Sequence, residues 1–273
     1  MRCLRRTIKP TEFNAAGLFP ILVSPYTGWF PVQGTIRVPG TQVGYMAGVR
    51  NDIRVSDLEK TLRIYEIYAS IQGESTWAGV PCTFVRLARC HLRCVWCDTA
   101  YAFSGGETQT IGSIVERCEK LGCSLVEITG GEPLIQKDCP ALAQVLLDRG
   151  HTVLVETSGS LPIDVLPEGA IRIMDLKCPD SGVCDANDWS NIDALRSRDE
   201  VKFVIASRGD YEWSRDTVAE HALPSRCNAV LFSPAYGLLE PKALAEWITE
   251  DGLDVRFQLQ MHKYVWPPDQ RGV

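Results

Sequence analysis

From residue 62 onward the chain is written in short runs of β-branched and aliphatic residues, separated by segments with a helical repeat. The runs lie at 62–68, 82–88, 125–129, 152–156, 171–176, 201–205, 229–232 and 255–259. Short apolar runs bounded by turn residues predict strands. Three intervening segments place their apolar residues on one stripe. Thr110 leads into Ile111, Ile114, Val115 and Cys118, and Gly122 stops the repeat. Asp138, as a cap, opens a segment carrying Leu142, Val145 and Leu146, and Gly150 closes it. Pro241 opens a third with Leu244, Trp247 and Ile248, closed by Gly252. Strands alternating with helices predict an α/β fold with a mostly parallel sheet, because parallel neighbours need a crossover. The count is six to eight strands, and the connection over 157–170 is too short for a full helix. An incomplete (β/α) barrel fits this pattern better than a closed eightfold one, with its sites at the C-terminal ends of the strands.

Residues 1–60 hold neither period and are dotted with Pro and Gly. They read as an irregular N-terminal arm, either disordered or the product of a misassigned start, with Met46 as the internal alternative. Residues 61–273 form the folded domain. The basic opening and the apolar stretch at 15–23 resemble a signal peptide, but Glu12 and Pro20 interrupt the pattern and no small-residue cleavage site follows. No apolar run reaches the roughly 18–20 residues that span a bilayer. A net charge of −6 leaves little for a phosphate backbone to bind, so neither nucleic acid nor membrane is an expected partner. Eleven cysteines are an odd number in a chain of 273 residues, unlike a short, evenly paired secreted scaffold. The thiols point to a reducing, cytoplasmic setting.

Three of them sit together in Cys90-His-Leu-Arg-Cys94-Val-Trp-Cys97-Asp98-Thr99, directly after the strand that ends at Leu87. Spacings of three and two put three thiolates on one tight loop. Zinc would want a fourth ligand, commonly from a second CxxC pair, and none exists. A cubane normally takes four cysteines. Three leave one iron open, and the amino and carboxylate groups of S-adenosylmethionine can chelate it. This loop resembles the signature of the radical S-adenosylmethionine superfamily, which implies an incomplete (β/α) barrel and a [4Fe–4S] cluster on Cys90, Cys94 and Cys97.

Further motifs fall at predicted strand ends. Glu127-Ile-Thr129-Gly130-Gly131-Glu132-Pro133 combines a turn with two glycines that let backbone approach a ligand closely. Glu156-Thr-Ser158-Gly159 and Asp175-Leu-Lys177 end the next two runs, and Ser233-Pro234 a later one. Ahead of the cysteines, Gln72 and Glu74 offer an amide and a carboxylate to the edge of a polar heterocycle. Arg86 can grip a carboxylate, and the Thr99 hydroxyl suits a hard cation such as Mg²⁺. The series Ser70-Ile71-Gln72-Gly73-Glu74, Phe84-Val-Arg86-Leu87, the cysteine loop, Gly130-Gly131-Glu132-Pro133, Glu156-Thr-Ser158-Gly159 and the ending Gln260-Met-His262-Lys263-Tyr264-Val-Trp266 resembles the 7-carboxy-7-deazaguanine synthase family over residues 62–273.

That resemblance implies a radical lyase. A 5′-deoxyadenosyl radical would take hydrogen from 6-carboxy-5,6,7,8-tetrahydropterin, and ring contraction with loss of ammonia would give 7-carboxy-7-deazaguanine for queuosine and other 7-deazapurines. Ile71, Gln72, Gly73, Arg86 and Thr129 would contact the substrate. Trp96, Cys97, Asp98, Gly130, Gly131, Glu132, Ser158 and Lys177 would contact S-adenosylmethionine, and Thr99 would hold Mg²⁺. The partners implied are a flavodoxin- or ferredoxin-type electron donor and a second copy of the chain in a homodimer. Some relatives carry Ser-Pro-Lys where this chain has Asp175-Leu-Lys177, which leaves the contacts flanking Lys177 open. An activase that sets a radical on a partner's glycine would share the cysteine loop without needing the segment at 70–74. A four-cysteine electron carrier would need neither Gly130-Gly131-Glu132-Pro133 nor Glu156-Thr-Ser158-Gly159.

Overall fold

The computed structural model describes residues 54–273, all within one compact unit. The expectations for 1–53 lie outside the described residues. The remainder of the expected arm is ordered: Val55–Glu59 forms a helical turn, α1, with Leu58 packed against the core. Its Asp57 pairs with Lys60 at 2.8 Å.

Nine strands follow, where six to eight were expected: β1 (Thr61–Ile71), β2 (Pro81–Leu87), β3 (Glu107–Thr110), β4 (Leu125–Gly130), β5 (Thr152–Thr157), β6 (Ile171–Asp175), β7 (Glu200–Ile205), β8 (Ala229–Pro234) and β9 (Arg256–Phe257). They form one sheet in the order β3-β1-β2-β4-β5-β6-β7-β8-β9. β1 is antiparallel to both β2 and β3, and every other pair is parallel. The sheet has two ends and does not close, as expected for an incomplete barrel. β3 escapes the hydrophobic pattern because Glu-Thr-Gln-Thr has no apolar face and pairs at the edge.

The helices α2 (Ile111–Leu121), α3 (Cys139–Asp148) and α5 (Pro241–Asp251) stand where the stripes predicted them. Thr110 caps α2 by accepting from Ser113 N–H at 3.2 Å. Asp138 does not cap α3. Its backbone has already turned and its side chain makes no cap hydrogen bond, so Pro140 in the first turn marks the start instead. A further helix, α4 (Arg208–Glu220), carries no legible stripe because Asp210, Ser214 and Thr217 share its buried face with Tyr211 and Val218. The 158–170 connection holds no helix, in line with its length.

Alternation along the strands assigns two faces. Val85, Leu87, Val126, Ile128, Val153 and Val155 pack outward with α2 and α3, and β6–β8 pack likewise with α4 and α5. The opposite face carries Phe84 and Arg86 on β2, Glu127 and Thr129 on β4, Glu156 on β5, Asp175 on β6 and Lys202 on β7, all lining one cavity. The β1–β2 connection, residues 72–80, crosses the concave side as a strap. Its Glu74 reaches Lys202 on β7, Thr76 N–H donates to Glu200 at 3.0 Å, and Ser75 exchanges two hydrogen bonds with the Gln258 amide at 2.8 and 2.7 Å.

Candidate active site

The cavity holds about 700 Å³ and opens at the C-terminal ends of the parallel strands. Of the residues expected to act, Ile71, Gln72, Gly73, Arg86, Cys90, Cys94, Trp96, Cys97, Asp98, Thr99, Thr129, Gly130, Gly131, Ser158 and Lys177 all line it. Glu132 does not. It is fully buried, and its carboxylate accepts from Leu134 N–H (2.9 Å), the Thr157 hydroxyl (2.9 Å) and Ser158 N–H (2.7 Å). Its side chain holds the Thr157–Ser158 turn in place.

The cysteine loop alternates. Arg89, His91, Arg93 and Val95 face solvent, Leu92 is buried, and Cys90 and Cys94 lie half-buried. Cys90, Cys94 and Cys97 are free thiols and, among the described residues, the only cysteines lining the cavity. Burial pushes the Cys90 and Cys94 thiols up, and the Lys177 ammonium partly offsets this at Cys94. Metal binding must therefore displace their protons. The glycine turn presses directly on this loop: a Cβ on Gly131 would lie 2.1 Å from Arg89 O and 2.8 Å from Cys90 Cβ. Only glycine permits that approach.

These residues fit a cubane. Three thiols from one loop line the cavity, and a cluster takes such thiolates on separate irons. Beside them, the Asp175 carboxylate has one oxygen on Lys177 Nζ at 2.8 Å, while its other oxygen is buried without a partner. Asp175 itself lines the cavity, and a buried acceptor without a partner calls for a donor. Lys177 stays protonated: burial opposes its charge, but Asp175 and Cys94 hold its pKa up.

The floor is richer in charge than the motifs suggested. Gln72 was expected to read a heterocycle with its amide. Both ends of that amide are engaged, the nitrogen donating to Glu127 and the oxygen accepting from Glu74 N–H at 3.0 Å. Burial, with Glu156 and Glu74 nearby, raises the Glu127 carboxyl well above the usual carboxylate range. Arg86 is likewise held, by Glu66 at 2.8 Å and by the Tyr68 hydroxyl at 2.9 Å, while the Tyr101 hydroxyl donates to Glu66 at 3.0 Å. Tyr68 stacks on Phe84 with centroids 5.2 Å apart, which makes a flat apolar wall. From the C-terminal segment, Lys263 pairs with Asp98 at 2.9 Å and Met261 N–H donates to Gly73 O at 2.9 Å. His262 packs where a Cβ on Gly73 would sit. Lys202 had no assigned role in the sequence, and Glu127 and Glu156 entered only as members of strand-end motifs, although charged residues inside apolar strand runs are a signal that could have marked all three.

A three-cysteine loop following the first parallel strand of an open partial barrel defines a radical S-adenosylmethionine protein, and a profile of the Radical SAM superfamily matches residues 85–220. With that class come a [4Fe–4S] cluster and S-adenosylmethionine. Within it, the chain belongs to the 7-carboxy-7-deazaguanine synthase family. It is 44% identical over 226 residues to the 7-carboxy-7-deazaguanine synthase of Koribacter versatilis, covering 78% of this chain and 100% of the relative. The enzyme of that name from Chlorobaculum tepidum is 47% identical over 218 residues, covering 79% and 99%. The crystal structure of QueE from Escherichia coli superposes with a TM-score of 0.62 at 20% identity, over 74% of this chain and 95% of that one, and shows the fold. The activase and electron-carrier alternatives find no support in these relatives. No helix among the described residues is long and apolar enough to cross a membrane.

Proposed function

We propose that the chain is a carbon–nitrogen lyase that converts 6-carboxy-5,6,7,8-tetrahydropterin to 7-carboxy-7-deazaguanine with release of ammonia, a step in queuosine and 7-deazapurine synthesis. The observation that carries this is the single cavity in which the three-cysteine loop faces a charged floor and an aromatic wall, in a chain that matches the named relatives over nearly their whole length. The cluster and S-adenosylmethionine together supply a 5′-deoxyadenosyl radical. Cys90, Cys94 and Cys97 hold the cluster. Trp96, Cys97, Asp98, Gly130, Gly131, Ser158 and Lys177 bind S-adenosylmethionine, and Glu132 acts through the turn at Ser158. Arg86, oriented by Glu66 and Tyr68, takes the substrate carboxylate, a charge-assisted pair that fixes orientation. Ile71, Gln72, Gly73 and Thr129 border the ring, and Thr99 offers its hydroxyl to Mg²⁺. A low-potential flavodoxin or ferredoxin supplies the electron, the working form is a homodimer, and the setting is the cytoplasm.

The test is anaerobic reconstitution followed by addition of S-adenosylmethionine, Mg²⁺, a reductant and the tetrahydropterin. Formation of 7-carboxy-7-deazaguanine is the expected result. Cofactor cleavage without that product would sink the substrate assignment and leave the radical chemistry standing. Cys94→Ala should abolish both, and its survival would refute the cluster assignment.

A further inference from the structure

Lys202 lies in the middle of β7 between Val201 and Phe203, and its side chain is 5% exposed. Its ammonium meets three carboxylates from three other segments: Glu74 of the strap at 2.8 Å, Glu156 at the end of β5 in closer contact, and Asp175 of β6 at 3.9 Å. Glu156 also accepts from the Thr129 hydroxyl at 3.3 Å, and Glu74 from the Gln260 amide at 3.0 Å. Lys202, Glu74 and Glu156 all line the cavity. The other charged or titratable groups around them are Glu127 from β4, Lys177 after β6, Asp98 from the cysteine loop and His262 from the C-terminal segment.

Net stability is a weak reason for gathering these charges. Desolvating an ammonium and two carboxylates costs several kcal/mol per ion, and well-packed apolar residues of similar volume commonly serve the fold as well or better. Beside them on the outer face, Val153, Val155, Met174, Val201 and Phe203 are apolar. The buried Arg172–Asp199 pair lies apart from the cavity, whereas Lys202 and its carboxylates line it.

We propose that Lys202 is a positioning residue for the substrate: by bridging Glu74 to Glu156 it fixes two carboxylates that accept hydrogen bonds from the N–H edge of a flat, nitrogen-rich heterocycle. A reduced pterin presents ring N–H groups and an exocyclic amine, which are donors, and an ionised carboxylate is an acceptor only. The bridge also ties the strap to β5 and β7, so the two acceptors keep a fixed separation. Burial disfavours the charge on Lys202, but Glu156, Glu74 and Asp175 outweigh it and keep the ammonium protonated. The inference rests on the function proposed above and names the residue that sets its substrate-reading floor.

The experiment is calorimetric titration of the cluster-loaded enzyme, without reductant, with 6-carboxytetrahydropterin and separately with S-adenosylmethionine. Losing a hydrogen bond to a charged group costs about 10- to 10²-fold in affinity. Lys202→Met is therefore expected to weaken pterin binding by about that factor while S-adenosylmethionine affinity stays within threefold. Lys202→Arg, which keeps the charge, is expected to recover most of the loss. The double variant Lys202→Met/Glu74→Gln removes the ion pair as a neutral pair, and it answers the question if the single variant does not fold. Wild-type pterin affinity in Lys202→Met or in the double variant, or an equal loss for both ligands, overturns the proposal. Failure of the wild type to bind pterin at all would instead refute the function reading.

Discussion

Replacing Glu132 separates a residue that touches the cofactor from one that supports the residues that do. Its carboxylate serves three donors at 2.9, 2.9 and 2.7 Å inside a fully buried site. Hydrogen bonds to a charged group contribute about 1.5–3 kcal/mol each, and buried donors left unpaired cost a similar amount. Three together set an upper bound near ~9 kcal/mol. Water entering the space left by Glu132→Ala can satisfy some of the donors, so the loss should be about 3–5 kcal/mol. In a folded unit of this size each kcal/mol moves Tm by about 2–4 °C. Glu132→Ala should then melt on the order of 10 °C below wild type by circular dichroism or scanning calorimetry, with Glu132→Gln between the two. S-adenosylmethionine affinity should fall by about tenfold in step, because Ser158 loses the partner of its N–H. Two results would refute the reasoning: a Tm within about 1 °C of wild type in Glu132→Ala, or lost cofactor affinity with stability intact, which would mean direct contact.

Three further outcomes follow from the geometry. Gly131→Ala forces a Cβ to within 2.1 Å of Arg89 O, so the cysteine loop must move; iron content and cluster absorbance after reconstitution should drop several-fold, while wild-type iron loading would contradict the close approach. Glu74 concerns pH: burial works to raise its carboxyl, but Lys202, His262 and the Gln260 amide bring it from 4.5 down to about 2. A depressed folded pKa contributes stability that is present above about 4.5 and is lost as pH falls towards about 2. Glu74→Gln should therefore flatten the acid limb of Tm against pH in that window, and an unchanged slope would exclude the pair as its source. Glu66→Gln leaves Arg86 without its ion-pair partner at 2.8 Å; KM for the carboxylated pterin should rise about tenfold with little change in that for S-adenosylmethionine. Equal KM values in mutant and wild type would show that Glu66 does not orient Arg86.

What the sequence by itself determined is local. The eight apolar runs became strands because a short β-rich run bounded by turn residues pairs into a sheet and buries at least one face in most of them, and α2, α3 and α5 followed their stripes. The cysteine loop and the glycine turn were legible because metal ligation and close backbone approach demand particular residues at fixed spacing. Where a segment's buried face is polar, as in α4, or absent, as in β3, the pattern had nothing to report. The tertiary structure alone decided which polar groups meet. Gln72 and Glu127 are 55 residues apart, Glu74 and Lys202 are 128 apart, and Glu74 and Gln260 are 186 apart. No spacing rule joins such positions. They meet because the strap from β1 crosses the concave side of an unclosed sheet and reaches β7 and the C-terminal segment. The same closure turned Glu132 inward and engaged the Gln72 amide, since a buried hydrogen-bonding group takes whichever partners the packing brings within about 3 Å.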